Sequence, residues 1–289
     1  MLIKIEDIND ERLDMFYRTN ERQLRHSEEY PEGLFLAEST LVIHRALDKG
    51  YEPVCFLISE GEYNSYSDVF KRCRDDITVY EVREEIFKSL KGYILIKGIL
   101  GCFKRKNNPD IKDILDKSKR VVVLENVENP ANVGSIFRNA AALFCDGVIL
   151  TEDCSDPLYK RSIRVSMGNV FNIDWCYVGN SYLDILKENG FKTVSFALRN
   201  DSVDISDERL DSEERIFVLA NHFIEIFHSV VIFSKHLLAF SIIAPRLQTI
   251  INRHENIASK NIVMCSFIIK ISCKCFFECI PKVFIFISC

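Results

Sequence analysis

Val121-Val122-Val123-Leu124 runs without a break into Glu125-Asn126-Val127-Glu128-Asn129-Pro130-Ala131-Asn132-Val133-Gly134. A short apolar, β-branched run followed by a polar stretch with Asn and Pro predicts a buried strand that ends in a loop. The loop opens a helix, expected from about Asn132 to Phe144, that carries Arg138. A second apolar strand follows at Val148-Ile149-Leu150. After it comes Asp156-Pro157-Leu158-Tyr159-Lys160-Arg161-Ser162-Ile163-Arg164-Val165-Ser166-Met167-Gly168, a second polar loop and a basic helix. Strand, loop, helix, strand, loop is the order that puts a ligand crevice at the carboxyl ends of parallel strands.

Working outward, the alternation continues. Helix is expected over Leu158–Val165 and Tyr182–Asn189, and strand over Asn172–Trp175, Lys192–Ala197 and Ile216–Leu219. Strands separated by helices of this length imply a parallel sheet covered on both faces.

Two helical faces carry the candidate chemistry. On the first helix Val133, Ile136, Phe137, Ala140 and Phe144 form an apolar stripe at i, i+3, i+4 spacing. Gly134, Ser135, Arg138 and Ala142 form another face, small except for one guanidinium, which something can approach closely. Asn132 falls at the helix start, where free N–H groups and the dipole favour anions. It can equally be a helix cap, and Arg138 a surface ion-pair partner. On the second helix Lys160, Arg161 and Arg164 share a face. A basic triplet of this kind is either a solvated face or, beside a crevice, a phosphate-binding one.

The N-terminal portion reads as a small α/β unit. A polar helix opens at Glu11, a strand covers Gly33–Glu38, and Val42, Ile43, Ala46 and Leu47 recur at helical spacing before Gly50. Strands follow at Val54–Ile58 and Val79–Val82, then a helix from Glu84 to Leu90. No residue set there has catalytic spacing, so recognition is its expected task. Lys104-Arg105-Lys106-Asn107-Asn108-Pro109-Asp110 reads as a linker, either a solvated hinge or one that contacts phosphate.

The 289 residues suit two domains. A net charge of −5 excludes a globally basic nucleic-acid coat but not a local basic patch. Eleven cysteines without a leading apolar segment point to a reducing, cytoplasmic setting. No clean run of about 18 uncharged apolar residues argues for a membrane span. Composition shifts late in the chain: Gly190 is the last glycine and Asp211 the last aspartate, while Ile, Phe and Cys crowd the remainder. Glycine supplies the positive-φ stops of α/β units, so a long segment without it is not expected to continue the pattern.

Asn129-Pro130-Ala131-Asn132-Val133-Gly134-Ser135-Ile136-Phe137-Arg138 resembles the first signature, N-P-x-N-x-G-x-I-x-R, of the SpoU (TrmH-type) RNA 2′-O-ribose methyltransferases. The Asp156–Phe171 stretch resembles a D-P-L-y-x-R-x-x-R-x-S-M-G-x-x-F segment of one branch of that family, and Gly33–Glu38 resembles part of its small substrate-binding domain. The resemblance spans about residues 1–221. It implies a parallel-sheet domain threaded into a trefoil knot, a rare departure from unknotted chains. It also implies S-adenosylmethionine as cofactor, structured RNA (tRNA or rRNA) as partner, and a homodimer if the C-terminal part folds. By motif position Arg138 acts on the ribose 2′-hydroxyl or its phosphate, with Asn132 bracing it. Lys160, Arg161, Arg164 and Ser166 hold RNA, and Ala197, Leu219, Ala220 and Asn221 line the cofactor. The implied division is 1–103 for RNA binding, 104–118 as linker, 119–221 for methyl transfer and 222–289 as a divergent tail.

Two family signatures are missing. After Leu219 the family has L-G-x-E-x-x-G, where this chain has Ala220-Asn221-His222-Phe223-Ile224. I-P-M-x-G-x-x-x-S-L-N-V has no match; Ile280-Pro281-Lys282-Val283 keeps two letters. The expectation is an incomplete knot and a tail of frame-shifted or degenerate origin. The alternative function is a catalytically inactive RNA-binding relative. Cys273, Cys275, Cys279 and Cys289 do not have the paired spacing of a zinc site. The charges Glu225, His228, Lys235 and His236 interrupt Ile224–Ala244 as an interfacial helix.

Overall fold

The structure, a computed structural model, describes residues 1–89, 98–179, 181–196, 216–220 and 285–288. Five strands make the first sheet: β1 (Leu2–Ile5), β2 (Leu34–Glu38), β3 (Pro53–Ser59), β4 (Thr78–Val82) and β5 (Ile99–Lys104), in the order β1-β4-β3-β5-β2. β1, β4 and β3 are parallel, and β5 runs antiparallel to β3 and β2. Helices α1 (Asp14–Tyr17), α2 (Glu21–Arg25), α3 (Thr40–Asp48), α4 (Ser67–Phe70) and α5 (Glu84–Ser89) surround it. α2 starts at a capping box: the Gln23 amide N–H donates to the Asn20 side chain and the Asn20 N–H to the Gln23 side chain, both at 2.9 Å.

The second sheet uses β6 (Arg120–Leu124), β7 (Gly147–Thr151), β8 (Asp174–Val178), β9 (Lys192–Phe196), β10 (Ile216–Ala220) and β11 (Ile285–Ser288). Its order is β11-β9-β10-β6-β7-β8. All are parallel except β11, which pairs antiparallel with β9 at the edge. The helices are α6 (Ile111–Lys117), α7 (Pro130–Ala142), α8 (Lys160–Val165) and α9 (Tyr182–Glu188). Val121–Leu124 and Val148–Leu150 are buried throughout, as strands covered on both faces must be. The α/β class with a parallel sheet is therefore the architecture the alternation predicts. Threading of a knot would fall on residues 221–284, which lie outside the described residues, as do the tail cysteines and the stretch 224–244. No helix among the described residues is long and apolar enough to cross a membrane.

One core joins the two sheets. Phe35, Phe56 and Phe103 of the first pack in the same cluster as Val122, Leu124, Phe137, Phe171 and Trp175 of the second. Phe171 sits 5.5 Å from Phe35 and 5.0 Å from Tyr51, ring centre to ring centre. Full burial of a phenylalanine ring contributes roughly 1.5–3 kcal/mol, of which contacts across the two sheets supply a part. On the other face of the first sheet, Phe16 and Leu24 cover Leu36, Cys55, Leu57 and Cys102.

Several expectations need correction. The span 104–118 is not a free linker: Lys104 ends β5, and α6 places Ile114 and Leu115 in a core with Val121 and Val123. The first candidate helix begins two residues early, at Pro130, because Pro fits the first helical position and Asn129 caps it. It ends before Phe144, which turns to a φ of +56° and is 58% exposed, so Phe144 is not part of the apolar stripe. The basic helix starts at Lys160 rather than Leu158, and the strand expected at Asn172–Trp175 is Asp174–Val178. The sequence pattern did not reveal β1 and β5.

Candidate functional site

The strand order reverses between β6 and β10: β7 and β8 lie on one side of that junction, β9 on the other. In open parallel sheets the ligand crevice lies outside the carboxyl ends of strands at such a switch point. Here Leu124 ends β6 opposite Ala220, which ends β10. The loop leaving β6 is fixed by its neighbours. The Asn126 N–H donates to the Thr151 hydroxyl at 3.0 Å, and the Val127 N–H to Cys154 Sγ at 3.3 Å. Asn126 takes a φ of +53°, a turn conformation that Asn tolerates. Tyr182, at the start of α9, donates its hydroxyl to Glu125 Oε1 at 2.7 Å. Burial, with the Glu125 carboxylate beside it, pushes the Tyr182 phenol well above its usual range.

α7 leaves this loop. The Asn129 side chain accepts the Ala131 N–H at 2.9 Å, so Asn129, not Asn132, is the cap. Asn132 is half-buried in the first turn. Val133, Ile136, Phe137 and Ala140 are buried as the apolar spacing predicts. The small face is occupied. A Cβ at Gly134 would stand 2.4 Å from the Ser162 carbonyl oxygen, so what approaches closely is the backbone of α8. The Ser162 hydroxyl donates to Pro130 O at 2.8 Å across the same crossing. Arg138, one turn further, is exposed and has no hydrogen bond or ion pair among the described residues.

α8 presents its basic residues unevenly. Arg161 is exposed, Lys160 is half-buried, and Arg164 lies 3.9 Å from the Glu38 carboxylate. Ser166 must be removed from the RNA-facing set: it is fully buried and its hydroxyl donates to Ile163 O at 2.9 Å. The backbone of Leu219 and Ala220 pairs with Val123 and Leu124 at the switch point. Ala197 and Asn221 lie outside the described residues.

Sequence reading missed the groups that join this face to the first sheet. Asp156 is buried beside α8. Its Oδ2 lies 2.9 Å from Arg105 Nη1 and 3.2 Å from Arg25 Nη1, while Oδ1 accepts the Leu158 N–H at 2.8 Å. Arg105 is thus neither a solvated hinge residue nor a phosphate contact. Lys106 is also taken, its ammonium donating to Lys49 O at 2.6 Å and lying 4.9 Å from the centre of the Tyr51 ring. The Asx-turn spacing from Asp156 to Leu158 was the only local signal, and it says nothing of Arg25 or Arg105, distant in sequence.

Comparison with known proteins agrees with this geometry. Residues 119–220 match the SpoU rRNA Methylase family. An uncharacterised tRNA/rRNA methyltransferase of Mycobacterium bovis is 29% identical over 221 residues, 74% of this chain and 74% of the relative. The mitochondrial rRNA methyltransferase 3 of Mus musculus is 30% identical over 162 residues, covering 52% of this chain and 38% of that protein. Among solved structures, the AdoMet-bound rRNA methyltransferase from Sinorhizobium meliloti shares the fold with a TM-score of 0.61 at 22% identity, over 76% of this chain and 82% of that one. An RNA 2′-O ribose methyltransferase shares it with a TM-score of 0.56 at 19% identity, over 76% of this chain and 81% of that one. A parallel sheet with its switch point between β6 and β10, an exposed arginine on the helix after β6, and the match over that same region lead to one conclusion: residues 119–220 are similar to the SpoU rRNA Methylase family, on the fold its solved structures share.

Proposed function

We propose that this protein methylates a ribose 2′-hydroxyl of structured RNA, tRNA or rRNA, with S-adenosylmethionine as donor. The observation that carries the reading is Arg138: exposed, unpaired among the described residues, and borne by the helix that leaves the switch-point loop. The edge where Leu124 and Ala220 end side by side suits the cofactor, with Leu219 and Ala220, and in sequence Ala197 and Asn221, as the residues to hold it. S-adenosylmethionine would supply an electrophilic sulfonium methyl. A ribose hydroxyl attacks such a carbon only when its proton leaves or its oxygen is polarised. A guanidinium keeps its proton at physiological pH, so Arg138 acts by fixed charge on the oxygen or the adjacent phosphate. Asn132, six residues earlier in the first turn of the same helix, braces the loop backbone. The hydroxyl proton passes to solvent or a substrate oxygen as the new O–C bond forms and the S–C bond breaks. Lys160, Arg161 and Arg164 hold phosphate, which gives affinity without sequence information. Residues 1–103 bind RNA, 119–221 transfer the methyl group, and the working unit is a cytoplasmic homodimer.

The second reading, an RNA-binding relative without activity, is favoured by Ala220-Asn221-His222 standing where the family signature has glycine and an acid. Incubation of the purified chain with tritiated S-adenosylmethionine and bulk tRNA or rRNA separates the two. Methyl transfer to RNA that falls about 100-fold in Arg138→Ala, with RNA binding retained, supports the first. RNA binding without any transfer by the wild type establishes the second.

A further inference from the structure

The first sheet and its helices grip the segment 156–168 at four points. Asp156 meets Arg25 and Arg105, and the Lys160 N–H donates to the Glu21 carboxylate. Arg164 faces Glu38, and the Arg45 guanidinium donates to Met167 O. Three of these involve exposed or half-buried groups and carry little energy in water. The Asp156 contact differs. Its carboxylate is about 1% exposed, and Arg105 only 9%. Arg25 also lies over the Tyr177 ring at 5.3 Å, and Arg105 Nε donates to Leu34 O at 3.1 Å, so both guanidiniums are held in place. Neither guanidinium makes an aligned hydrogen bond to Oδ2 among the described residues, so the attraction there is charge on charge. Asp156 is at the same time built into the start of α8. Oδ1 accepts the Leu158 N–H, and its carbonyl accepts the Ser162 hydroxyl at 3.1 Å. Ser162 is the residue against which Gly134 of α7 packs.

We propose that Asp156 is a positioning residue whose charge holds α8, and through the Ser162–Gly134 crossing α7 with Arg138, in fixed register with the RNA-binding first sheet. The proposal rests on the RNA methyltransferase reading and deepens it. RNA seated on the first sheet is delivered to Arg138 only while that register holds. Loss of the charge leaves each surface able to bind but misaligns the ribose.

Asp156→Asn tests this, because an asparagine can keep the Oδ1 acceptor for Leu158 while an uncharged amide nitrogen replaces the carboxylate oxygen that faces Arg25 and Arg105. With bulk tRNA and rRNA as substrates, kcat is expected to fall roughly 10- to 100-fold, the cost of a small misplacement, while the RNA dissociation constant stays nearly unchanged. Arg25→Ala should lower kcat in the same sense and Arg25→Lys should restore most of it, a split that loss of packing alone would not give. Wild-type kcat in Asp156→Asn, or equal losses in Arg25→Ala and Arg25→Lys, overturns the proposal. If the wild type transfers no methyl group, the functional reading fails, and hydrogen exchange decides the register separately. The Lys160 and Arg105 amides, which donate to Glu21 and Gly33, should exchange faster in Asp156→Asn while those of β6 and β7 do not. Unchanged exchange at both overturns it.

Discussion

The chain holds two sets of basic residues that look alike in sequence and are paired differently in the fold. Lys104-Arg105-Lys106 sits among Asn and Pro like a solvated or phosphate-binding hinge, yet every one of its cations is spent inside the protein. Lys104 pairs with Glu32 and Glu52, Arg105 with the buried Asp156, and Lys106 with Lys49 O. On α7 and α8, Arg138 and Arg161 stand exposed with no ion pair among the described residues. A run of positive charge therefore does not by itself mark a ligand surface, because carboxylates and carbonyls of the same chain can reach the charges first. Folding decided that for residues 104–106, because β5 ends beside the segment that carries Asp156.

The comparison can be broken most directly at Arg105. Arg105→Ala leaves a buried carboxylate with one cation, and the expected loss is about 3 kcal/mol of unfolding free energy by urea titration, the low end for a broken buried pair because Arg25 remains. Arg138→Ala and Arg161→Ala should stay within about 0.5 kcal/mol of wild type. Equal losses at Arg105 and Arg138 would erase the distinction. Gly134→Ala comes next. Its Cβ would collide with backbone, which cannot swing away as a side-chain tip can, and the expected cost is about 1–3 kcal/mol with a fall in melting temperature. An unchanged melting temperature would mean that α7 and α8 are not closely apposed.

The smallest effect is a pH dependence at Glu21. Burial raises its carboxyl above the usual carboxylate range, against the opposing pull of the Lys160 N–H. A folded acid with a raised pKa binds more protons than the unfolded chain, so its contribution to stability falls as pH rises from that unfolded value through the folded one. Glu21→Gln should flatten that part of the stability–pH curve, measured by urea unfolding between pH 4 and pH 7 at roughly unit steps. An identical curve for the variant would place Glu21 in water rather than under α8.

How much of this was legible depends on which interactions set each element. β6 and β7 were readable because strands buried on both faces are continuous apolar runs, and α7 because its stripe keeps the helical period. β5 was not, since Gly101 interrupts it. That glycine is required by packing: a Cβ there would stand 2.6 Å from the Phe103 ring and 2.9 Å from Phe56. β1 was hidden by its brevity and its alternating lysine. Phe144 kept the helical spacing in sequence but falls just past the Leu143 cap, where the chain turns left-handed. In the candidate site, motif position led to Asn132 and Arg138, whereas Ser166 was grouped with its basic neighbours by adjacency and proved to face inward. Asp156 lay inside a recognised segment, but its partners Arg25 and Arg105 are joined to it only by the folded path of the chain.

The place of β10 also constrains how the protein can be made. β6, β7 and β8 can zip together as soon as residue 178 is synthesised, since each follows its neighbour in sequence. β6 then waits with one edge open, because its other partner begins at Ile216 and must enter between β6 and β9. Closing a loop of that length slows folding, and an unpaired apolar edge invites other chains in the interval. The strand that completes the switch point is thus the one whose late arrival leaves the nascent chain most exposed to aggregation.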